Sequence, residues 1–364
     1  MLAPLRDHLC PKDPASSPLL NATKEIYFTR LSGAIAPDEP GFEEARWITT
    51  EDVNVEHLLD IFMTIDANSI SVWDACDKFL AQLYWHKSRL VTLGPKIEAL
   101  ADDHPSKAKC LFRLSRLFNS VGNFVERKRL LSHCLRLCRE QGNDVGVANT
   151  LGDLSDANRR MGLRGEGIPQ AKEASGILER LGDVVRQAGS LIDLASLLRG
   201  DGQLDAAEEA ISRAIDLLPE KGEELRVCQA YRVLGDIYGT KGEMKKAIHQ
   251  YEIALEVASS FNDVEELFWV HFALAQALSE EGKFEDAQTR LEQAKSHADS
   301  NAYNLAYVMD EQARVLIGQR RFEEARSEAL RALDTFERLG ATHNAEFIRG
   351  LLQYIDARRA EQLG

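Results

Sequence analysis

The chain has 364 residues, 44% of them hydrophobic, and carries 44 basic against 58 acidic side chains, a formal net charge of −14. This acidic balance argues against a non-specific nucleic-acid binder, because phosphate backbones attract clustered positive charge. No apolar run approaches the roughly 18 residues of a membrane-spanning helix, and Arg6, Asp7 and His8 stand where a secretory leader would be apolar. We therefore expect a cytoplasmic protein without a membrane partner.

The first part of the chain, residues 1–45, is predicted to be a proline-rich leader. Its prolines, which interrupt helices, are Pro4, Pro11, Pro14, Pro18, Pro37 and Pro40. Residues 46–104 are predicted to form a helical pre-repeat region, in which Thr49 and Thr50 can cap the first helix. The second half of this region aligns with the following segment at an offset of forty residues. It therefore predicts a degenerate opening repeat, with Gly94 in a position that needs a small residue.

Residues 105–340 contain six copies of a repeat with a period of nearly forty residues. The repeat is marked by glycines at Gly122, Gly162, Gly202, Gly242 and Gly282, and Arg320 takes the equivalent place in the sixth copy. Each glycine falls between two stretches with helical periodicity, so that each copy predicts a helical hairpin. Such a unit buries one face against the next, which makes the array one elongated body.

Three positions of the repeat require small side chains. They lie seven residues before the turn, five after it and twelve after it, and seventeen of these eighteen residues are Gly, Ala, Ser or Cys. In chain order they are Ser115, Arg127, Cys134, Ser155, Gly167, Ala174, Ala195, Ala207, Ala214, Gly235, Ala247, Ala254, Ala275, Ala287, Ala294, Ala313, Ala325 and Ala332. Small residues allow two helix axes to approach to about 8–10 Å. Arg127 is the exception.

Large apolar residues occupy the position eight residues before the turn. They are Leu114, Leu154, Leu194, Leu234 and Leu274, and Gln312 is the exception. The spacings of three and four residues are those of amphipathic helices, and no segment shows sustained alternation with period two. The predicted fold class is therefore all-α, a right-handed α-α superhelix of helical hairpins. Residues 341–364 are predicted to form a C-terminal capping helix with Phe347, Leu351, Leu352 and Ile355 on its apolar face.

Two segments of the repeat array resemble tetratricopeptide repeats. These are Tyr231–Leu255 and Phe272–Ala294. The residues that match the family pattern are Tyr231, Leu234, Gly235 and Tyr238 in helix A and Ala247, Tyr251 and Ala254 in helix B. The family period is about 34 residues, so a period of forty implies longer helices, as in the extended-repeat subgroup that includes kinesin light chains.

A narrower resemblance links three segments to fungal NACHT-type, NOD-like NTPases. The segments are Met1–Pro14, Glu43–Phe62 and Leu83–Leu90, and they resemble the linker and first helices before the repeats of those receptors. The resemblance implies that the chain corresponds to the sensor arm, with an NTPase domain as partner in cis or in trans. The chain contains no G-x-x-x-x-G-K-[ST] phosphate loop, so it has no sequence feature for nucleotide hydrolysis.

The family resemblance implies that helix A of each repeat lines a concave groove that binds a partner. The groove residues that we expect to contact the partner are Lys109, Arg116, Asn119, Asn149, Arg159, Arg199, Arg232, Trp269, Phe272 and Tyr307. Further groove positions in the fifth and sixth copies hold Gln276, Ser279, Asp310, Arg314 and Ile317. The early groove is basic, since residues 105–200 carry 16 basic and 10 acidic side chains, against 10 and 21 in residues 201–300.

These charges suggest a peptide or protein partner with an acidic segment. The acidic part would dock on arginines, which can hold a carboxylate with two hydrogen bonds, and an apolar residue would pack near the three aromatic side chains. Two alternatives stay open for these residues. Any single arginine can be a solvated surface charge, and the aromatic residues can belong to the core or to the packing between repeats.

No catalytic, cofactor or metal site is predicted. Cys134 and Cys138 lie one helical turn apart beside His133, but a metal site would need further ligands from elsewhere. We find no hydrolase or metalloprotease motif. The sequence thus favours a non-catalytic protein-interaction scaffold. The alternatives are a helical-repeat RNA binder and an accessory subunit of an enzyme.

Overall fold

The computed structural model describes residues 25, 27, 55–56, 58–64, 69–82, 90–120, 123–219, 222–298, 302–339 and 341–363. Within these residues the regular secondary structure is helical, as the repeat pattern predicts. The predicted leader, 1–45, lies outside the described residues except for Glu25 and Tyr27, and Thr49 and Thr50 lie outside them as well. None of the described helices is both long and apolar enough to cross a membrane.

The chain divides into two compact units, Met1–Gly162 and Leu163–Gly364. The first contains helical residues at 55–56 and 58–64, followed by α1 (Ile70–Gln82), α2 (Leu90–Ala99), α3 (Lys107–Ser120), α4 (Phe124–Glu140) and α5 (Asp144–Arg160). The second contains α6 (Arg164–Leu181), α7 (Val184–Gly200), α8 (Leu204–Leu217), α9 (Glu224–Thr240), α10 (Met244–Phe261), α11 (Val264–Glu280), α12 (Phe284–His297), α13 (Ala302–Gly318), α14 (Phe322–Arg338) and α15 (Thr342–Leu363). The domain boundaries expected at residues 45, 104 and 340 stay predictions.

Short turns join the helices, and local chemistry explains where they occur. The turn glycines Gly162, Gly202, Gly242 and Gly282 have φ between 73° and 80°, a left-handed conformation that costs glycine little. Arg320, in the equivalent place, also has a positive φ of 62°. Side chains cap several helix starts by accepting a backbone N–H. Such caps are Asn123, Asn143, Asp183 and Asp263, with donor–acceptor distances of 2.8–3.2 Å.

The positions that were predicted to need small residues are all buried. At one of these positions, Gly235, an added Cβ would lie 2.5 Å from the Tyr251 ring, so that only glycine fits beside this ring. The five leucines at the apolar position are buried too, whereas Gln312 is only half-buried. The repeat pattern therefore predicted the core correctly, because each of these residues lies where two helices approach closely.

In the second unit the helices form two layers. Helices α7, α9, α11 and α13 are the first helices of successive hairpins, and each contacts the next as well as its own partner helix. Their side chains therefore lie along one continuous layer. The C-terminal helix α15 packs on α14 through Ile348 and Ile355, which are buried. On the predicted apolar face Phe347 is instead 57% exposed, so that this residue is not part of the core.

Candidate functional site

A cavity of about 840 Å³ lies in the second unit, between the last hairpins and the C-terminal helix. Helices α11, α13 and α15 supply most of its lining. Predicted groove positions that line it are Phe272, Gln276, Ser279, Tyr307, Asp310, Arg314 and Ile317. The cavity thus occupies the groove that the repeat pattern predicts for the fifth and sixth copies.

One wall of the cavity is aromatic. Phe272 and Tyr307 both line it, with ring centroids 5.8 Å apart in an edge-to-face arrangement. Trp269 packs edge-on against both rings, at 6.2 Å from Phe272 and 5.7 Å from Tyr307. The structure therefore brings the three predicted aromatic residues together. Phe272 is itself only 7% exposed, so it serves both the core and the wall.

Helix α15 supplies the opposite wall. Asn344 donates a hydrogen bond from Nδ2 to the Tyr307 hydroxyl at 3.2 Å, which ties this helix to α13. Further along α15 the cavity is lined by Phe347, Leu351 and Tyr354. Phe347 is 57% exposed and Tyr354 46% exposed, although a capping helix would be expected to bury such side chains. These two rings present apolar surface that the fold leaves in contact with water.

The polar part of the cavity is acidic. Asp310, Glu311 and Glu280 line it, and Arg314 is the cation that faces them among the lining residues. Arg314 Nη2 lies 3.2 Å from Asp310 Oδ1, and Arg314 Nε lies 3.8 Å from Glu311 Oε2. The guanidinium of Arg314 also stacks over the Phe347 ring at 4.7 Å.

The two neighbouring carboxylates of α13 are poorly supplied with donors. Glu311 has a side chain that is only 4% exposed, and Gln276 Nε2 donates to its Oε2 at the long distance of 3.3 Å. Asp310 Oδ1 is buried, and within the described part of the chain it has no partner that meets hydrogen-bond geometry. Burial raises the pKa of Glu311 to about 7, with Asp310 and Glu280 adding to the rise and Arg314 opposing it. Burial also raises the pKa of Asp310, against the influence of Arg314.

A close approach of two helices shapes the edge of the cavity. A Cβ built on Gly318 would overlap the ring of Phe284, and both residues line the cavity. Glycine at this position therefore allows α12 and α13 to approach until the Phe284 ring covers the backbone. A larger residue would displace that ring.

The predicted arginines of the second unit are paired with carboxylates. Arg199 Nη2 lies 3.7 Å from Asp236 Oδ2, and Arg232 Nη1 lies 4.0 Å from the same oxygen. Arg232 Nε also lies 3.6 Å from Glu266 Oε2, and the Tyr251 hydroxyl donates to Asp236 Oδ1 at 2.8 Å. The positive charge that this part of the groove offers a partner is therefore smaller than the sequence suggests.

In the first unit the exception to the small-residue rule forms a buried ionic cluster. Arg127, 3% exposed, donates to Asp156 Oδ2 at 2.6 Å and to Asn119 Oδ1 at 2.9 Å, and its Nη2 lies 3.3 Å from Asp153 Oδ1. Arg159 Nη2 donates to Asp156 Oδ1 at 2.5 Å. Burial opposes ionisation of Asp156, but the arginines around it hold its pKa below the usual range.

The remaining predicted groove residues of the first unit differ in their surroundings. Lys109 is 53% exposed and lies 2.9 Å from Asp77 Oδ2. Arg116 is exposed, and its charge lowers the pKa of Asp153, which burial raises. Asn149 is half-buried. Asn119 and Arg159 thus belong to the Arg127 cluster, whereas Lys109 and Arg116 stay exposed to solvent.

Among the described residues no group of three or more His, Cys, Asp or Glu could hold a metal ion. Cys134 and Cys138 are free thiols with their sulfur atoms 4.0 Å apart. Hydrogen bonding within this pair and to Thr150 accounts for both thiols, which are buried in the core. Cys134 occupies one of the small-residue positions of the repeat, and Cys138 is buried beside it.

Sequence reasoning missed two contributors to the cavity. Glu311 is not a groove position of the repeat, and the helix α15 was interpreted only as a cap. The polar Gln312 at a position that otherwise holds leucine marks the same helix as irregular, and the aromatic residues of α15 exceed what a cap needs. These two features could have indicated the site.

Comparisons with known proteins agree with this fold. Residues 226–300 match the family model of the tetratricopeptide repeat. A Rap protein complexed with Competence and Sporulation Factor superimposes with a TM-score of 0.57 at 14% identity, covering 93% of this chain and 99% of that chain. A chain of the APC/C hetero-tetramer Cut9–Hcn1 gives a TM-score of 0.52 at 16% identity, covering 94% of this chain and 58% of that chain. No curated protein sequence matches the chain.

These likenesses concern the fold, since the sequence identities are low. They agree with the small buried positions, the left-handed turns and the layer formed by the first helices of the hairpins. The chain therefore has the all-α, α-α superhelical fold of helical hairpins, and its residues 226–300 match the tetratricopeptide repeat family.

Proposed function

We propose that this protein is a non-catalytic scaffold that binds a peptide or protein partner, with the cavity of the second unit as the anchoring site. The observation that carries the proposal is the exposure of Phe347 and Tyr354 on a helix that lines an 840 Å³ cavity. Apolar surface left in water is stabilised when a partner covers it, by about 25 cal/mol per Å². Aromatic side chains in pockets are frequent energetic centres of interfaces.

The architecture supports this function. The small residues that hold neighbouring helices together lie inside the array, so the exposed groove positions can vary with little effect on the fold. In the second unit those positions supply an aromatic wall and a charged patch within one cavity. The two structural neighbours were both determined as complexes, one with a factor and one with a protein partner. Binding a segment of another protein in this cavity is consistent with both features.

An acidic segment of the partner remains part of the proposal for the basic positions. In the second unit Arg199 and Arg232 share the carboxylate of Asp236, and in the first unit Arg159 pairs with Asp156. A partner carboxylate would therefore have to compete with these internal contacts. The test is charge reversal at Arg159 and, in a separate variant, at Arg199, since an acidic ligand should then bind more weakly.

The experiment that tests the cavity uses a random heptapeptide library displayed on phage and selected against the full chain. Enriched peptides would be synthesised and their affinities measured by fluorescence polarisation. In the double variant Phe347→Ala/Tyr354→Ala we expect affinity to fall at least tenfold, equivalent to about 1.4 kcal/mol, because both rings lose their contact area. Phe347 is 57% and Tyr354 46% exposed, so the melting temperature should change little.

The matched control removes exposed apolar side chains that do not line the cavity. Leu330 and Leu339 are 40% and 44% exposed, so the variant Leu330→Ala/Leu339→Ala changes a similar kind of surface. It should bind the selected peptides as the unchanged chain does. Selection of no peptide, or equal losses in both double variants, would reject the cavity as the binding site.

The narrower assignment, the sensor arm of a NACHT-type receptor, rests on the sequence resemblance alone. The segments 1–14 and 83–89 lie outside the described residues, as do several residues of 43–62. An NTPase domain as partner would be supported by a neighbouring NTPase reading frame and by direct binding of its product. Failure of that product to bind the chain would remove this assignment and leave the scaffold function in place.

A further inference from the structure

We infer that the cavity of the second unit selects a peptide segment in which a lysine or arginine stands beside an apolar side chain, with the cation placed between Asp310 and Glu311. The inference rests on the proposed function and specifies its ligand. It also reverses, for this cavity, the acidic ligand expected from the basic part of the groove. Its basis is the charge and the donor supply of the cavity.

The carboxylates that line the cavity outnumber the cations that line it. Asp310, Glu311 and Glu280 line the cavity with a single cation, Arg314, and the Gln276 amide donates to Glu311. Among the described residues the buried Asp310 Oδ1 atom has an ion pair with Arg314 at 3.2 Å but no contact with hydrogen-bond geometry, and the contacts to Glu311 are 3.3 Å and 3.8 Å long. Buried carboxylate oxygens are normally satisfied by donors. A ligand ammonium or guanidinium would supply the donors that these oxygens lack.

Arg314 does not supply these missing hydrogen bonds, because its guanidinium is held against the Phe347 ring. Its guanidinium stacks on Phe347 at 4.7 Å, and its contact with Asp310 lacks hydrogen-bond geometry. A second cation can approach the same two carboxylates, since the local charge stays negative with Arg314 in place. An acidic ligand would instead meet three carboxylates and a guanidinium that is already engaged.

The aromatic side chains that line the cavity indicate that the ligand also has an apolar side chain. Phe272 and Tyr307 on one side and Phe347 and Tyr354 on the other line the same cavity as the carboxylates. An apolar side chain next to the cation would cover these rings. The long stem of a lysine or arginine would itself pack against aromatic rings while its charged end reaches the carboxylates.

Proton linkage gives the inference a distinct signature. Glu311 has a pKa of about 7 in the free protein, because burial, Asp310 and Glu280 outweigh Arg314 and the hydrogen bond from Gln276. A bound cation favours the ionised form, so that Glu311 must lose its proton on binding. Affinity should therefore fall about tenfold from pH 8 to pH 6, where most of the free protein carries the proton.

The test uses four hexapeptide sublibraries with randomised flanks and a fixed central pair. The pairs are Phe-Arg, Phe-Lys, Phe-Glu and Phe-Gln, and binding to the full chain is measured by fluorescence polarisation at pH 8 and pH 6. We expect the Phe-Arg and Phe-Lys sublibraries to bind at least tenfold more tightly than the other two at pH 8. Their affinity should decrease at pH 6.

The variant Asp310→Asn/Glu311→Gln should abolish both the preference for the cation and the pH dependence. It should fold, because it neutralises buried charges with side chains of the same shape. The matched control Asp334→Asn/Glu337→Gln neutralises two exposed carboxylates of α14 and should keep the preference. Equal binding of all four sublibraries, or a preference for Phe-Glu, would overturn the inference and leave the proposed function standing. Absence of binding by every sublibrary would overturn both.

Discussion

Two clusters of charged side chains, one in each unit, combine an arginine with two carboxylates and have opposite characters. In the first unit Arg127 projects from α4 towards Asp153 and Asp156 on α5, with its closest contact at 2.6 Å. In the second unit Arg314 lies on the same helix as its two carboxylates, with contacts of 3.2 Å and 3.8 Å. The arginine from a neighbouring helix fills the space between helices, whereas the arginine on the same helix leaves that space open as a cavity.

The pKa values of Asp156 and Glu311 record this difference, although burial raises the pKa of Asp153 in the first cluster as well. The arginines around Asp156 outweigh its burial and hold its pKa below the usual range. Burial raises the pKa of Glu311 to about 7, and Arg314 only partly opposes the rise. Charged residues at similar positions of a repeat can therefore stabilise the fold or remain available to a ligand. The length and direction of the arginine contacts distinguish the two cases.

The largest expected effect on stability tests the filled cluster. Replacement of Arg127 by methionine, which keeps an unbranched stem, would remove the buried contacts to Asp153 at 3.3 Å and to Asp156 at 2.6 Å, while Asp156 keeps Arg159. We expect the free energy of unfolding to fall by about 3 to 5 kcal/mol, as when one partner of a buried ion pair is removed. Urea unfolding followed by circular dichroism measures this change.

A control for this variant is Arg160→Met. The Arg160 side chain is 36% exposed and lies 3.6 Å from Asp156, so its loss should cost no more than about 1 kcal/mol. Similar losses for both variants would show that burial of Arg127 does not distinguish it from a surface arginine. The Arg127 cluster would then not be a buried ion-pair cluster that stabilises the fold, and its contrast with the Arg314 cluster would be lost.

The next effect tests the open cluster through its pH dependence. A glutamate whose pKa is raised in the folded state, from 4.5 to about 7, makes the protein less stable as the pH rises through that interval. The variant Glu311→Gln should remove this penalty. We expect it to be more stable than the unchanged chain by about 2 to 3 kcal/mol at pH 8 and equally stable near pH 4.5.

Urea unfolding at a series of pH values measures the difference between the two chains. The facing charges Asp310, Glu280 and Arg314 are the same in both chains, so that the difference reports Glu311. A constant difference between pH 4.5 and pH 8 would show that Glu311 ionises normally. The second cluster would then be as well satisfied as the first.

The smallest effect concerns the turn beside the open cluster. Arg320 has a φ of 62°, where the equivalent turns hold glycine. The variant Arg320→Gly should raise the free energy of unfolding by about 1 kcal/mol, because glycine adopts this conformation without strain. Peptide affinity should not change, since Arg320 does not line the cavity. A decrease in stability would indicate that the arginine side chain makes a compensating contact.

Much of the fold could be predicted from the sequence because its causes are local or periodic. The forty-residue period, the turn glycines and the small residues at three positions specify helical hairpins and their buried faces, and the structure confirms them except at Gly122, which lies outside the described residues. The grouping of Trp269, Phe272 and Tyr307 also follows from the period. Each of these features depends on residues one turn or one repeat apart.

The character of the site required the tertiary structure. Whether Arg127 and Arg314 are satisfied depends on how far each can reach across to another helix, and the exposure of Phe347 depends on how α15 packs on its neighbours. The sequence thus determined the hairpins and their order, because side-chain size and periodicity act locally. Only the packed structure decided which charges are neutralised and where a cavity remains, because burial and ion pairing depend on contacts between distant residues.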